Sequence, residues 1–169
     1  MISQTLQNSY ELYRQTHKTH PNWFGGYSIL KNVTNIGKLI QDSNIKTCLD
    51  YGCGHAGAWK NGNMKQILGI DKIFLFDPGV DEYSKKLNRK VDLVLAIDVL
   101  EHVPEDAVDE VIADINNYAT KAIYLHISTK PAKKTLIDGS NAHATIKSKQ
   151  WWQEKINKID KYVVAHYET

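Results

Sequence analysis

The chain is poor in the residues that mark special classes of protein: two cysteines, four prolines and three phenylalanines among 169 residues. Cys48 and Cys53 fall in and just after one predicted strand. That spacing excludes a disulfide framework and leads us to expect reduced thiols in a cytoplasmic protein. A second cysteine pair, which a structural zinc site would need, is missing. No apolar run approaches the roughly 18 residues that suggest a membrane span. The segment Met1–Asn8 is too polar for a signal-peptide core, so no membrane partner is expected. The formal net charge is only +2, and charge alone therefore does not favour nucleic acid as a partner. Internal repeats and low-complexity tracts are absent.

What is present suits one packed domain spanning residues 1–169: 42% of residues are hydrophobic and 24% charged. Leu6, Tyr10 and Tyr13 recur at helical spacing up to the break at Pro21–Gly26. Ile29, Val33, Ile36 and Ile40 mark a second helix that ends at Asp42–Asn44. Strands are predicted at 46–51, 72–77, 91–98, 121–128 and 161–167. A poor helix interrupted by Gly62 lies near 58–67, and a better one, opened by Pro104, carries Val108, Val111, Ile112 and Ile115. A polar loop runs from Thr129 to Thr145, and a last helix from about Ser148 carries Trp151 and Trp152. Strands alternating with helices imply an α/β three-layer sandwich with a mostly parallel central sheet. In such a sheet the ligand site lies beyond the strand C-termini, where the strand order reverses.

The residues at those strand ends carry the functional argument. Thr47–Tyr51 runs directly into Gly52-Cys53-Gly54-His55-Ala56-Gly57. Gly52 and Gly54 permit a sharp bend and the close approach of a ligand, and the following helix is expected to aim free N–H groups at the same place. Asp77 ends the second strand, where a carboxylate can accept hydrogen bonds from both hydroxyls of a ribose. A glycine-rich turn alone leaves a nicotinamide cofactor open.

Taken together, Leu49-Asp-Tyr-Gly-Cys-Gly54, Phe76-Asp-Pro-Gly79 and Ala96-Ile-Asp-Val-Leu-Glu-His-Val-Pro104 resemble the class I S-adenosylmethionine-dependent methyltransferases, over about residues 25–160. The downstream Lys130-Pro-Ala-Lys-Lys134, Asn141-Ala-His143 and Trp151-Trp152 are similar to a small bacterial and phage subgroup. The resemblance implies a reduced Rossmann-like methyltransferase fold, with residues 1–26 as an N-terminal helical lid. It implies that Gly52, Cys53 and Gly54 pass under the methionine part of S-adenosyl-L-methionine. Asp50 would lie near the ammonium, Asp77 and Pro78 at the ribose, and Asp98 and Val99 at the sulfonium end. The sequence departs from the family pattern in three places. The third glycine falls on Ala56, with Gly57 one place later. Asp77 follows Asp50 by 77 − 50 = 27 positions, where about 20 is usual. The family's third strand has almost no room between Asp77 and Val91.

Asp98, Glu101 and His102 share a face if the chain turns helical there. The resemblance extends to metal-dependent relatives whose pattern is Glu-x-x-Glu-His. It implies a divalent cation on Asp98, Glu101, His102 and His143, against the plainer reading that Glu101 and His102 bond the framework. His102 and His143 are the candidate bases, with Glu101 orienting one of them. His126, inside a strand, reads as a satisfied core histidine. One of Trp151 and Trp152 is expected in the core and the other over a pocket. Lys130, Lys133 and Lys134 read as a solvated face or as contacts for an anionic substrate. The function expected is methyl transfer to a small-molecule hydroxyl or amine, a saccharide included, in a pocket that a homo-oligomer could complete. RNA or protein methylation, cofactor binding without catalysis and a nicotinamide-dependent oxidoreductase are the alternatives.

Overall fold

The computed structural model describes residues 2–169. Helix α1 (Gln4–Thr19) starts at Ser3, whose hydroxyl accepts from the Leu6 N–H. A single 3₁₀ turn (Ser28–Asn32) leads into α2 (Val33–Asp42), and β1 (Thr47–Tyr51) follows. The weak helix breaks at Gly62 into α3 (Gly57–Asn61) and α4 (Met64–Leu68). Then come β2 (Lys72–Phe76), β3 (Val91–Ile97), α5 (Val108–Tyr118), β4 (Ala119–Ser128), α6 (Lys149–Ile156) and β5 (Tyr162–Glu168).

The five strands form one sheet in the order β2-β1-β3-β4-β5, and every pairing is parallel. The expected "mostly parallel" sheet is thus wholly parallel, and the segment between β2 and β3 contributes a short turn (Asp81–Tyr83) and no strand. Alternation along the strands supplies two cores. Cys48, Leu93, Leu95, Ala122 and Tyr124 face α2, α3 and α4. Leu49, Val94, Ala96, Ile123 and Leu125 face α5 and α6, with Leu6 of α1 buried among them. Both faces are covered, which is why β3 reads as a nearly unbroken apolar run. The chain leaves β1 toward β2 on one side, while β3 lies on the other, so the reversal of strand order falls between β1 and β3.

Helix α1 is stitched across the C-terminal edge of this sheet. Thr5 donates to Asp106 (2.9 Å), Arg14 to the Pro78 carbonyl (3.0 Å), and Tyr13 to the Ala142 carbonyl (2.6 Å). No described helix is long and apolar enough to cross a membrane. Trp152 is fully buried, but Trp151 packs edge-on against it beneath Lys147 and Lys155 and does not line the cavity at the strand ends.

Candidate functional site

A cavity of about 830 Å³ opens at the reversal point, between the sheet edge, α1 and the loop after β4. Asp50, Gly52, Cys53, Gly54, Asp77, Pro78, Asp98 and Val99 all line it, as do His102 and His143. Parallel strands end in register, and that brings the first eight together from three different strand ends. Cys53 is 2% exposed, so little of it is open to the cavity.

The turn itself is built differently from the sequence expectation. Gly54 has φ +54°, and a Cβ there would stand 2.1 Å from the Phe24 carbonyl oxygen. A Cβ on Gly57 would meet the Tyr27 ring at 2.4 Å. The glycines at 54 and 57 therefore make room for residues 24–27 of the same chain and not for a ligand. Backbone bonds seal the fit: His55 N–H to Phe24 O (3.0 Å), Gly57 N–H to Gly25 O (2.7 Å) and Ala58 N–H to Gly26 O (3.1 Å). The start of α3 is thereby stoppered, contrary to the free N–H groups expected there. Gly52 and Cys53 donate to the Phe76 carbonyl (2.7 and 3.2 Å). At Gly52 a Cβ would come 2.5 Å from Val99 Cγ2, so that glycine lets the β1 and β3 ends approach.

Four carboxylate residues line the cavity: Glu168 at the end of β5, and Asp50, Asp77 and Asp98, each of which is held in its own way. Asp77 accepts from Gly54 N–H and Gly79 N–H (both 2.8 Å), one on each oxygen, so a second lone pair on each remains for a ligand. Burial raises its pKa, against the pull of those two bonds. Asp50 is 6% exposed and accepts from the Trp59 indole at 2.6 Å. Burial pushes it up to about 6. Asp98 adopts φ +56°, a conformation that Asp tolerates better than most residues. Its carboxylate lies 2.7 Å from His126 Nδ1. Burial would raise its pKa, but the bonds from His126 and Ser28 prevail and lower it, so Asp98 stays ionised.

The histidines are arranged by α1. His102 Nδ1 lies 2.7 Å from the Tyr13 hydroxyl and 2.8 Å from the Ala142 carbonyl, and Tyr13 itself is 2.6 Å from that carbonyl. A carbonyl can only accept, so the network assigns the proton to His102 Nδ1 and leaves a lone pair on Nε2. Burial, then the neighbouring His143, hold the His102 pKa down at about 4, and the ring is neutral at pH 7. His143 packs edge-on against it, with centroids 4.8 Å apart, and its own Nδ1 is bonded to the Lys130 carbonyl. His17 and His55 form a second pair across the cavity wall at 3.1 Å.

Glu101 does not join this group. It is fully buried outside the cavity, where one oxygen accepts from Ser128 N–H (2.7 Å) and the other has no partner. Burial pushes its pKa up to about 8. The orienter of His102 is Tyr13, 89 positions away in the chain, and no spacing signal could have shown it. The expected cation set does not assemble. Leu100–His102 is a 3₁₀ turn, which sends Asp98 toward His126, Glu101 toward Ser128 and His102 toward Tyr13. Among the described residues no group of three or more His, Cys, Asp or Glu side chains is placed to hold a metal ion.

Fold and cavity together define an α/β protein of Rossmann-like architecture with an acid-lined crevice at its strand reversal. No family model, curated protein or solved structure matches the chain.

Proposed function

We propose that the protein is an S-adenosyl-L-methionine-dependent methyltransferase acting on a small molecule through a hydroxyl or amine. The observation that carries this reading is the convergence of Asp50, Asp77 and Asp98 with the Gly52–Gly54 turn around one cavity. Three acidic groups suit a ligand that carries an ammonium, a sulfonium and a ribose diol. They repel a pyrophosphate. A dinucleotide would also need free N–H groups at the start of the helix after β1. Here Gly25 O and Gly26 O occupy those donors, which disfavours the nicotinamide alternative.

The cofactor would supply the activated methyl group, and the chain supplies placement. Asp98, ionised and rigidly held, would sit at the cationic end. Asp77 would take the ribose hydroxyls on its two open lone pairs. His102 Nε2, neutral at pH 7, would accept the proton of the attacking group. The α1 helix closes the crevice and limits the entry of water.

Thermal unfolding with S-adenosylmethionine, S-adenosylhomocysteine and NAD tests the proposal. The first two should raise the melting temperature as their concentration passes the Kd, and NAD should leave it unchanged. Stabilisation by NAD alone would sink the reading.

A further inference from the structure

Positive charge in the cavity is concentrated on the loop after β4. Asp50, Asp77 and Asp98 come from the ends of β1, β2 and β3, and Glu168 from the end of β5; the cations Lys130, Lys133 and Lys134 come from the loop after β4, and Lys31 from the turn before α2. No carboxylate lies within 4.0 Å of any of these four ammonium groups among the described residues. Elsewhere on the surface some lysines are paired, as Lys60, Lys86, Lys121 and Lys155 are, and others such as Lys65 and Lys90 are not, so what distinguishes these four is their place on one cavity. Lys134 rests over aromatic faces instead, 5.0 Å from the Phe24 ring centre and 5.2 Å from that of Trp23.

The loop that carries three of these lysines is braced by its own hydrogen bonds. The Asn141 amide clamps it by accepting from Ala132 N–H and His143 N–H and donating to the Ala132 carbonyl, all at 2.9 Å. Thr135 and Asn141 form a single β-bridge, and Ala142 N–H donates to the Lys134 carbonyl (3.1 Å). Thr145 ties the far end down, through its N–H to Glu101 O (2.9 Å) and its hydroxyl to Val103 O (2.7 Å). His143 and Ala142, on the same loop, touch His102. The basic wall therefore borders the His102 ring at one end of the crevice.

We propose that this wall selects the methyl acceptor, which is a small anion bearing a carboxylate or phosphate. The anionic group lies on Lys130, Lys133 and Lys134, its body lies against Phe24, and its nucleophilic atom is presented to His102. The inference rests on the methyltransferase reading for the role of the bound molecule, but the anion site is testable apart from it. Several unpaired ammonium groups at one cavity wall attract an anion, and salt weakens that attraction. Preorganisation of the loop spares the ordering cost.

Calorimetry with inorganic phosphate and with benzoate, in the presence and absence of S-adenosylhomocysteine, decides it. At least one anion should bind to the unaltered chain. The K130Q/K133Q/K134Q variant should weaken that binding by about tenfold or more and leave S-adenosylhomocysteine binding within about twofold. Phosphate binding alone identifies a phosphorylated acceptor; benzoate binding alone identifies a carboxylate. Lysine-dependent anion binding without any S-adenosylhomocysteine binding supports the anion wall and overturns the cofactor reading. The wall is overturned if neither anion binds, if the triple variant binds as well as the original, or if a single-stranded oligonucleotide outcompetes both anions through the same lysines.

Discussion

The Tyr13 hydroxyl and His102 Nδ1 lie 2.7 Å apart, and both point at the carbonyl of Ala142. This contact joins α1, the end of β3 and the loop after β4 at one point. It fixes the tautomer of His102 and holds the helix over the crevice. The N-terminal segment is consequently part of the site's wall. Leu6, 1% exposed in the main core, roots the same helix in the body of the protein.

Replacing Tyr13 by Phe removes the hydroxyl and leaves the Ala142 carbonyl to His102 alone. Stability should fall by about 0.5–1.5 kcal/mol, as for one intramolecular hydrogen bond. Urea unfolding measures this, and a change below the experimental error would show that the latch contributes nothing.

Leu6→Ala should cost more, about 2–5 kcal/mol, because it opens a cavity in the core. If α1 were a detachable lid, the substitution would scarcely move the unfolding midpoint. Chemical denaturation followed by tryptophan fluorescence separates the two outcomes.

Two glycines with similar φ angles provide a matched test of the turn. Gly54 (φ +54°) faces the Phe24 carbonyl, whereas Gly69 (φ +66°) has nothing within 4 Å of a would-be Cβ. Gly69→Ala should cost only the left-handed penalty of about 1–2 kcal/mol. Gly54→Ala should cost clearly more, since Phe24 to Tyr27 must move away. Equal losses would contradict the packing described for this turn.

Glu101 gives the folded chain a definite pH dependence. Its pKa rises from the usual 4.5 to about 8 on folding. A raised folded-state value means that the native state holds the proton more tightly. The stabilisation is complete below about pH 4.5 and is lost as pH climbs through 8. His17 and His102, both pushed down to about 4 by burial, act in the opposite sense. Their contribution is complete about one unit above 6.5 and is lost as pH falls toward 4. Asp50, raised to about 6 by burial, has largely titrated by pH 6.5. Between pH 6.5 and 8 Glu101 outweighs what the histidines still gain, and stability should fall by about 1 kcal/mol. Glu101→Gln, which cannot ionise, should abolish that slope. Unfolding midpoints of both proteins at pH 6.5 and 8 provide the check, and parallel declines would remove Glu101 as the cause.

Much of the architecture follows from periodicity and punctuation. The apolar run of Val91–Ile97 announces a strand covered on both faces, and the Val108, Val111, Ile112, Ile115 stripe announces α5. Gly62 marks the break between α3 and α4. Such signals are local, since each reflects what a strand or helix must bury along its own length. The strand-end residues are likewise legible: once the strands are parallel, Asp50, Asp77 and Asp98 must arrive at one edge.

The three-dimensional partnerships were decided only by the folded chain. Nothing in the spacing of Gly54 and Gly57 says that the neighbour needing their missing side chains is the Phe24–Tyr27 backbone. The motif Asp98-Val-Leu-Glu-His102 places three polar groups close in sequence, but the 3₁₀ turn sends each to a different partner. Glu101 enters the core, and His102 finds Tyr13 from the far end of the protein. Local sequence specifies which faces are apolar and where the chain must turn. Which buried polar group satisfies which other depends on contacts between distant segments, and those exist only once the sheet has brought the segments together.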